Sequence, residues 1–112
     1  MDTTQYQDFA KKYLSGAFTR LEVLITAFTH RSYLNEHKKS ASEHNERLEF
    51  LGDAVLELVV TEFLYTNYPD PEGILTNWRS SLVRTESISA AGARLGVEPL
   101  LRLSRGEKNG TE

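Results

Sequence analysis

The sequence predicts an all-α domain, and three observations lead to that class. His44 to Tyr68 runs without a proline and is long enough for one helix of about six turns. The remaining apolar residues recur at steps of three and four. No stretch alternates apolar and polar residues as a half-buried strand does, and no internal repeat is visible.

From the N-terminus, Tyr6, Phe9, Ala10, Tyr13 and Leu14 share one helical face, which predicts a helix over Thr4 to Leu14 with Gly16 as its stop. Thr19 followed by Glu22 reads as a capping box. It opens an apolar run through Leu21, Leu24, Ile25 and Phe28, so a second helix is expected from about Arg20 to His30. Arg31 to Ser42 is polar, with Asn35, Lys38, Lys39, Ser40 and Ser42, and is assigned to a loop.

After the long helix, Tyr68-Pro69-Asp70-Pro71-Glu72-Gly73 ends it and reverses the chain. Ile74, Leu75, Trp78, Leu82 and Val83 then form a helical stripe. Thr85 is placed to cap a further helix over Glu86 to Leu95, with Gly96 at its C′ position and the small residues Ala90 to Ala93 permitting close packing. Pro99 to Leu103 reads as a brief apolar turn, and the segment from Ser104 to Glu112, without an apolar residue, reads as loose.

One domain is expected over residues 1–112, with a modest core drawn from 39% hydrophobic residues. The net charge of −3 is unevenly spread: residues 1–42 carry +2, residues 43–72 carry −7 and residues 73–112 carry +2. There is no cysteine, hence no disulfide framework and no thiolate zinc site. No apolar run approaches the roughly 20 residues of a membrane span, and the polar start lacks a secretory core. A soluble, intracellular protein of the cytoplasm, with no membrane partner, is the expectation.

On a wheel of about 100° per residue, Glu46, Glu49, Asp53 and Glu57 fall within roughly 80° of one another. The opposite arc carries Leu48, Leu51, Val55, Leu58, Val59 and Phe63 and is expected to face the core. Phe50 breaks the pattern by lying among the carboxylates, which suggests that a partner surface covers it. Like charges at this spacing repel. Either they form a solvated face, or a hard divalent ion relieves them, with Glu49 and Asp53 aimed at one ion and Glu57, Glu72 or Glu107 available as further ligands. Such an ion activates a bound water and stabilises charge on a phosphoryl oxygen, the needs of phosphodiester hydrolysis. His30, His37 and His44 are spaced too widely for a compact ligand set and are read as capping or surface groups.

Asn45-Glu46-Arg47-Leu48-Glu49-Phe50-Leu51-Gly52-Asp53-Ala54-Val55-Leu56 resembles the signature segment of the ribonuclease III family, the metal-dependent endonucleases of double-stranded RNA. Phe28 to Tyr33, Glu72-Gly73, Leu82-Val83-Arg84 and Leu103 to Glu107 resemble further landmarks of the same family, so the likeness runs from about Leu21 to the end.

The resemblance implies an all-helical endonuclease domain that dimerises through the signature helix. On matching positions Glu49 is a ligand of Mg2+, or Mn2+ in its place, and Asp53 a catalytic carboxylate of the same site. Glu46 and Glu72 match acids of the cleft, and Phe50 matches an aromatic knob that enters the other subunit of a homodimer. Two sites cut the two strands and leave short 3′ overhangs with 5′-phosphate and 3′-hydroxyl ends. Arg79, Arg84, Arg102, Arg105 and Lys108 are candidate contacts to RNA phosphates.

The chain departs from the family where it stops. The Asp and Glu that complete the family's catalytic set have no counterpart before Glu112, and the double-stranded RNA-binding domain is absent. The expectation is therefore the N-terminal portion of a ribonuclease III domain, a fragment with little activity alone. The alternative is a non-catalytic homodimeric helical module or duplex-RNA binder.

Overall fold

The computed structural model describes residues 2–14, 18, 20–38 and 43–110. Helices α1 (Thr4–Tyr13), α2 (Leu21–Ala27), α3 (Arg31–Glu36), α4 (Glu46–Asn67), α5 (Glu72–Val83), α6 (Thr85–Leu95) and α7 (Arg105–Gly110) follow in order, with a 3-10 turn at Glu98–Leu100. Among the described residues there is no strand, only an isolated parallel bridge between Thr29 and Arg102. The all-α class is the one observed. The chain divides into two compact units, residues 1–48 with 99–112 and residues 49–98.

The first unit is built on α1 and α2. Tyr6, Leu24, Ile25 and Leu100 are buried, with Phe9, Ala10, Leu14, Leu21 and Phe28 packed against them. Phe9 meets Phe28 edge to face at 5.6 Å, a favoured aromatic geometry. The Tyr6 hydroxyl donates to the Leu100 carbonyl at 2.8 Å, tying the first helix to the segment after α6. Burial raises the pKa of this phenol above its ordinary value. An unfolded tyrosine ionises near pH 10, so the stabilisation is whole below that pH and is lost as the pH rises through the raised folded value. Tyr6→Phe is expected to cost about 1 kcal/mol near neutral pH. Its denaturant-unfolding midpoint should also fall less steeply than that of the wild type in the alkaline range.

Thr29 is fully buried. Its hydroxyl donates to the Ile25 carbonyl at 2.7 Å and accepts from Arg102 Nη1 at 3.2 Å. Arg102 also lies over the Tyr33 ring, 4.2 Å from its centroid, and His37 stacks on that ring at 3.9 Å. A ring has two faces, so the guanidinium and the imidazole take one each.

Two segments assigned to irregular chain are helical. At α3, His30 Nδ1 accepts from the Ser32 backbone N–H at 3.1 Å, so an imidazole performs the N-cap task of a Ser or Asp. At α7, the Glu107 N–H donates to Ser104 Oγ at 3.2 Å. Ser104 and Glu107 have the spacing of a capping box. Thr19 and Gly16 lie outside the described residues, as do Lys39, Ser40 and Ser42. Glu22 accepts from Arg20 Nε at 2.9 Å.

The second unit holds α4 from Glu49 onward, α5 and α6. Phe63, Tyr68 and Trp78 meet edge to face, with centroids 6.2 Å and 5.3 Å apart. Gly96 closes α6 with φ 71°, the left-handed C′ geometry that favours glycine. Thr85 is the first residue of α6 and not its cap; Arg84 takes that place.

The core-facing arc expected on α4 is overturned. Leu51, Val55, Leu58, Val59 and Phe63 are all at least half exposed, Leu58 at 68%. The buried or half-buried positions from the third turn onward are Leu56, Val60, Thr61 and Leu64. On the wheel these lie toward the acids, so the acidic side of the helix is the one that continues into the packing. Ile74, Trp78 and Leu82 on α5 are likewise exposed. A hydrophobic arc marks a surface to be covered and does not say by which element.

Candidate active site

The candidate carboxylates Glu49 and Asp53 stand one helical turn apart on one face of α4. Both are exposed, and no ion pair or side-chain hydrogen bond engages either carboxylate among the described residues. Two hard oxygen donors on a rigid helix fit Mg2+ or Mn2+, which bind through one or two carboxylates and keep waters for substrate. When bound there, such an ion supplies an acidified water and a counter-charge for a phosphoryl oxygen.

The other acids are placed differently. Glu46 is paired with Arg31 Nη2, a partner 15 residues away for which the sequence carries no periodic signal. Glu57 sits exposed one turn beyond Asp53. Glu72 is the first residue of α5 and stands at the far end of the α4–α5 hairpin, on the order of 20 Å from Asp53 at 1.5 Å rise per residue. The structure therefore does not bring Glu72 to the Glu49–Asp53 pair within one chain. Glu107 belongs to α7, in the first unit. Among the described residues no three His, Asp or Glu are close enough to hold a metal ion. His30, His37 and His44 make local hydrogen bonds instead, the last at 3.4 Å to the Glu46 N–H.

Phe50 projects from the same helix and is 84% exposed. The basic candidates divide. Arg102 is buried, bonded to Thr29 and stacked on Tyr33, which removes it from the phosphate contacts and makes it structural. Arg79 is half buried and donates from Nη1 to Thr61 Oγ1 at 2.9 Å. It lines a cavity of about 690 Å³ between α4 and α5 with Thr61, Leu64, Tyr65, Glu72 and Thr76. Arg84, Arg105 and Lys108 are exposed. The Arg105 backbone N–H faces both Glu36 carboxylate oxygens at 3.3 Å, which leaves its side chain out of that contact. Thr61 was not among the sequence candidates, although it lies one turn beyond Glu57 on the acid stripe.

A family model described as ribonuclease-III-like matches residues 21–112. Ribonuclease 3 of Latilactobacillus sakei is 50% identical over 112 residues, covering 98% of this chain and 48% of that protein. Ribonuclease 3 of Streptococcus thermophilus is 49% identical over 92 residues, covering 81% of this chain and 40% of that one. The chain thus spans about half the length of these relatives or less. A solved structure of the nuclease domain of ribonuclease III from Campylobacter jejuni, described for flexibility in a region involved in its dimer formation, superposes with a TM-score of 0.76 at 37% identity. The superposition covers 91% of this chain and 68% of that one. No described helix is long and apolar enough to cross a membrane. With a family model matched from residue 21 onward and half of all positions shared with a named relative, the chain belongs to the ribonuclease III family.

Proposed function

We propose that this chain is the N-terminal part of a nuclease domain that hydrolyses double-stranded RNA with Mg2+, or Mn2+, at Glu49 and Asp53. The observation that carries the reading is the exposed Glu49–Asp53 pair on one face of α4, without an ion pair among the described residues, in a chain of this family. Glu49 orients the ion and Asp53 orients the attacking water. Water adds to phosphorus, the bond to the 3′ oxygen breaks, and a 5′-phosphate and 3′-hydroxyl remain.

A homodimer is part of the proposal. The exposed Phe50 ring fits a self-complementary contact across a twofold axis, and two such sites would cut the two strands. Arg84 and Arg105 are proposed to hold phosphates of the duplex, whose A-form shape and 2′-hydroxyls a helical surface reads without base contacts. The cytoplasm is the proposed compartment, where reducing conditions match a sequence without cysteine.

The test is cleavage of duplex RNA by this chain and by the chain extended to a whole nuclease domain. The extended protein should cut in Mg2+ and stop in EDTA, and the 112-residue chain should cut very little. Cutting that persists in EDTA contradicts the metal, and an extended protein inert on duplex RNA contradicts the activity. The latter outcome favours a second reading, a dimeric or RNA-binding module.

A further inference from the structure

Thr61 prolongs the acid stripe of α4, since Glu49, Asp53, Glu57 and Thr61 follow at four-residue steps. At Thr61 the helix changes character. From Glu49 to Val59 every residue is exposed except the half-buried Leu56, whereas Val60 and Thr61 are half buried and Leu64 is buried. The hydrogen bond from Arg79 to Thr61 therefore sits at the first half-buried positions after the exposed span that carries Glu49 and Asp53.

The exposed span that carries Glu49 and Asp53 is held at its two ends, by the Glu46–Arg31 pair before it and by the packing from Val60 onward after it. A small rotation at Thr61 redirects carboxylates two and three turns away. Val60 and Thr61 are only half buried, so close packing resists such a rotation less here than in a core, while a hydrogen bond with directional geometry resists it further. Arg79 is suited to this because it lines the α4–α5 cavity with Leu64, Leu75 and Thr76. That half-buried position restricts the guanidinium before any ligand arrives.

We propose that Arg79, acting through Thr61, is a positioning residue that sets the aim of Glu49 and Asp53 at their metal ion, in place of the phosphate contact expected from sequence. This rests on the metal-binding reading above.

The test uses Mn2+ titrated into the chain by calorimetry, well below its thermal midpoint. Thr61→Val removes the acceptor, and Arg79→Lys removes the planar fork. Both keep the net charge, so a change in affinity reports geometry and not the local field. Each variant is expected to bind Mn2+ about fivefold more weakly than wild type, the ratio one hydrogen bond commonly commands. A merely structural link would lower the thermal midpoint and leave Mn2+ affinity alone, and a phosphate contact would weaken RNA binding alone. Unchanged Mn2+ affinity in both variants overturns the positioning role while the metal site stands. A wild-type chain that binds no Mn2+ overturns both. Should Thr61→Val fail to fold, Arg79→Lys, which keeps the charge and the apolar stem, decides the matter.

Discussion

Asp53→Asn, in the chain extended to a whole nuclease domain, is expected to slow cleavage of duplex RNA at least about a hundredfold with folding intact. The substitution keeps shape and removes one negative charge, so the ion loses a ligand and the attacking water its orienting group. Stability should not suffer. Asp53 is exposed and makes no ion pair among the described residues, and it stands one turn from both Glu49 and Glu57. Like charges at that spacing destabilise a helix by about 0.2–0.5 kcal/mol per pair, so the thermal midpoint should hold or rise slightly. Single-turnover cleavage beside a thermal melt checks both halves. Undiminished cutting removes Asp53 from the mechanism, and a collapsed midpoint makes it structural.

Phe50→Ala is the second large effect. A phenyl ring that is 84% exposed in the single chain is unfavourable in water, and burying it in a partner is worth about 1.5–3 kcal/mol. In a twofold dimer the ring is buried twice, so its loss should raise the dimer dissociation constant by about two to four powers of ten. Sedimentation equilibrium reads this directly. Because Phe50 packs against little in its own chain, monomer helicity should be unchanged. An unaltered oligomeric state would mean that α4 meets its partner elsewhere or has none.

The helical plan could be read from the residues because its signals are local. The proline-free stretch gave α4, the Pro69–Pro71 turn gave the reversal, and Gly96 gave the end of α6. Two short helices escaped for local reasons too: His30 is not among the usual caps, and the Ser104–Glu107 box stood in a segment without apolar residues. The face of α4 was misjudged because periodicity shows that an apolar arc exists without showing whether this chain covers it. Leu51, Val55 and Leu58 are exposed in the single chain.

The site was readable to the extent that one helix supplies it. Glu49 and Asp53 are neighbours by helical geometry alone. Contacts between distant residues were not readable: the Arg31–Glu46 pair, the Arg79–Thr61 bond and the stacking that buries Arg102 each join elements at least 15 residues apart. Such pairs leave no periodic trace.

The most direct test of the account is anomalous scattering at the manganese edge from crystals of the chain grown or soaked in Mn2+. One peak within coordination distance of both the Glu49 and the Asp53 carboxylates is the expected result, lost in Asp53→Asn crystals of the same form. Manganese bound elsewhere on the chain, or an empty Glu49–Asp53 pair in crystals that hold manganese at other sites, would contradict the assignment of this helix face to metal-dependent hydrolysis.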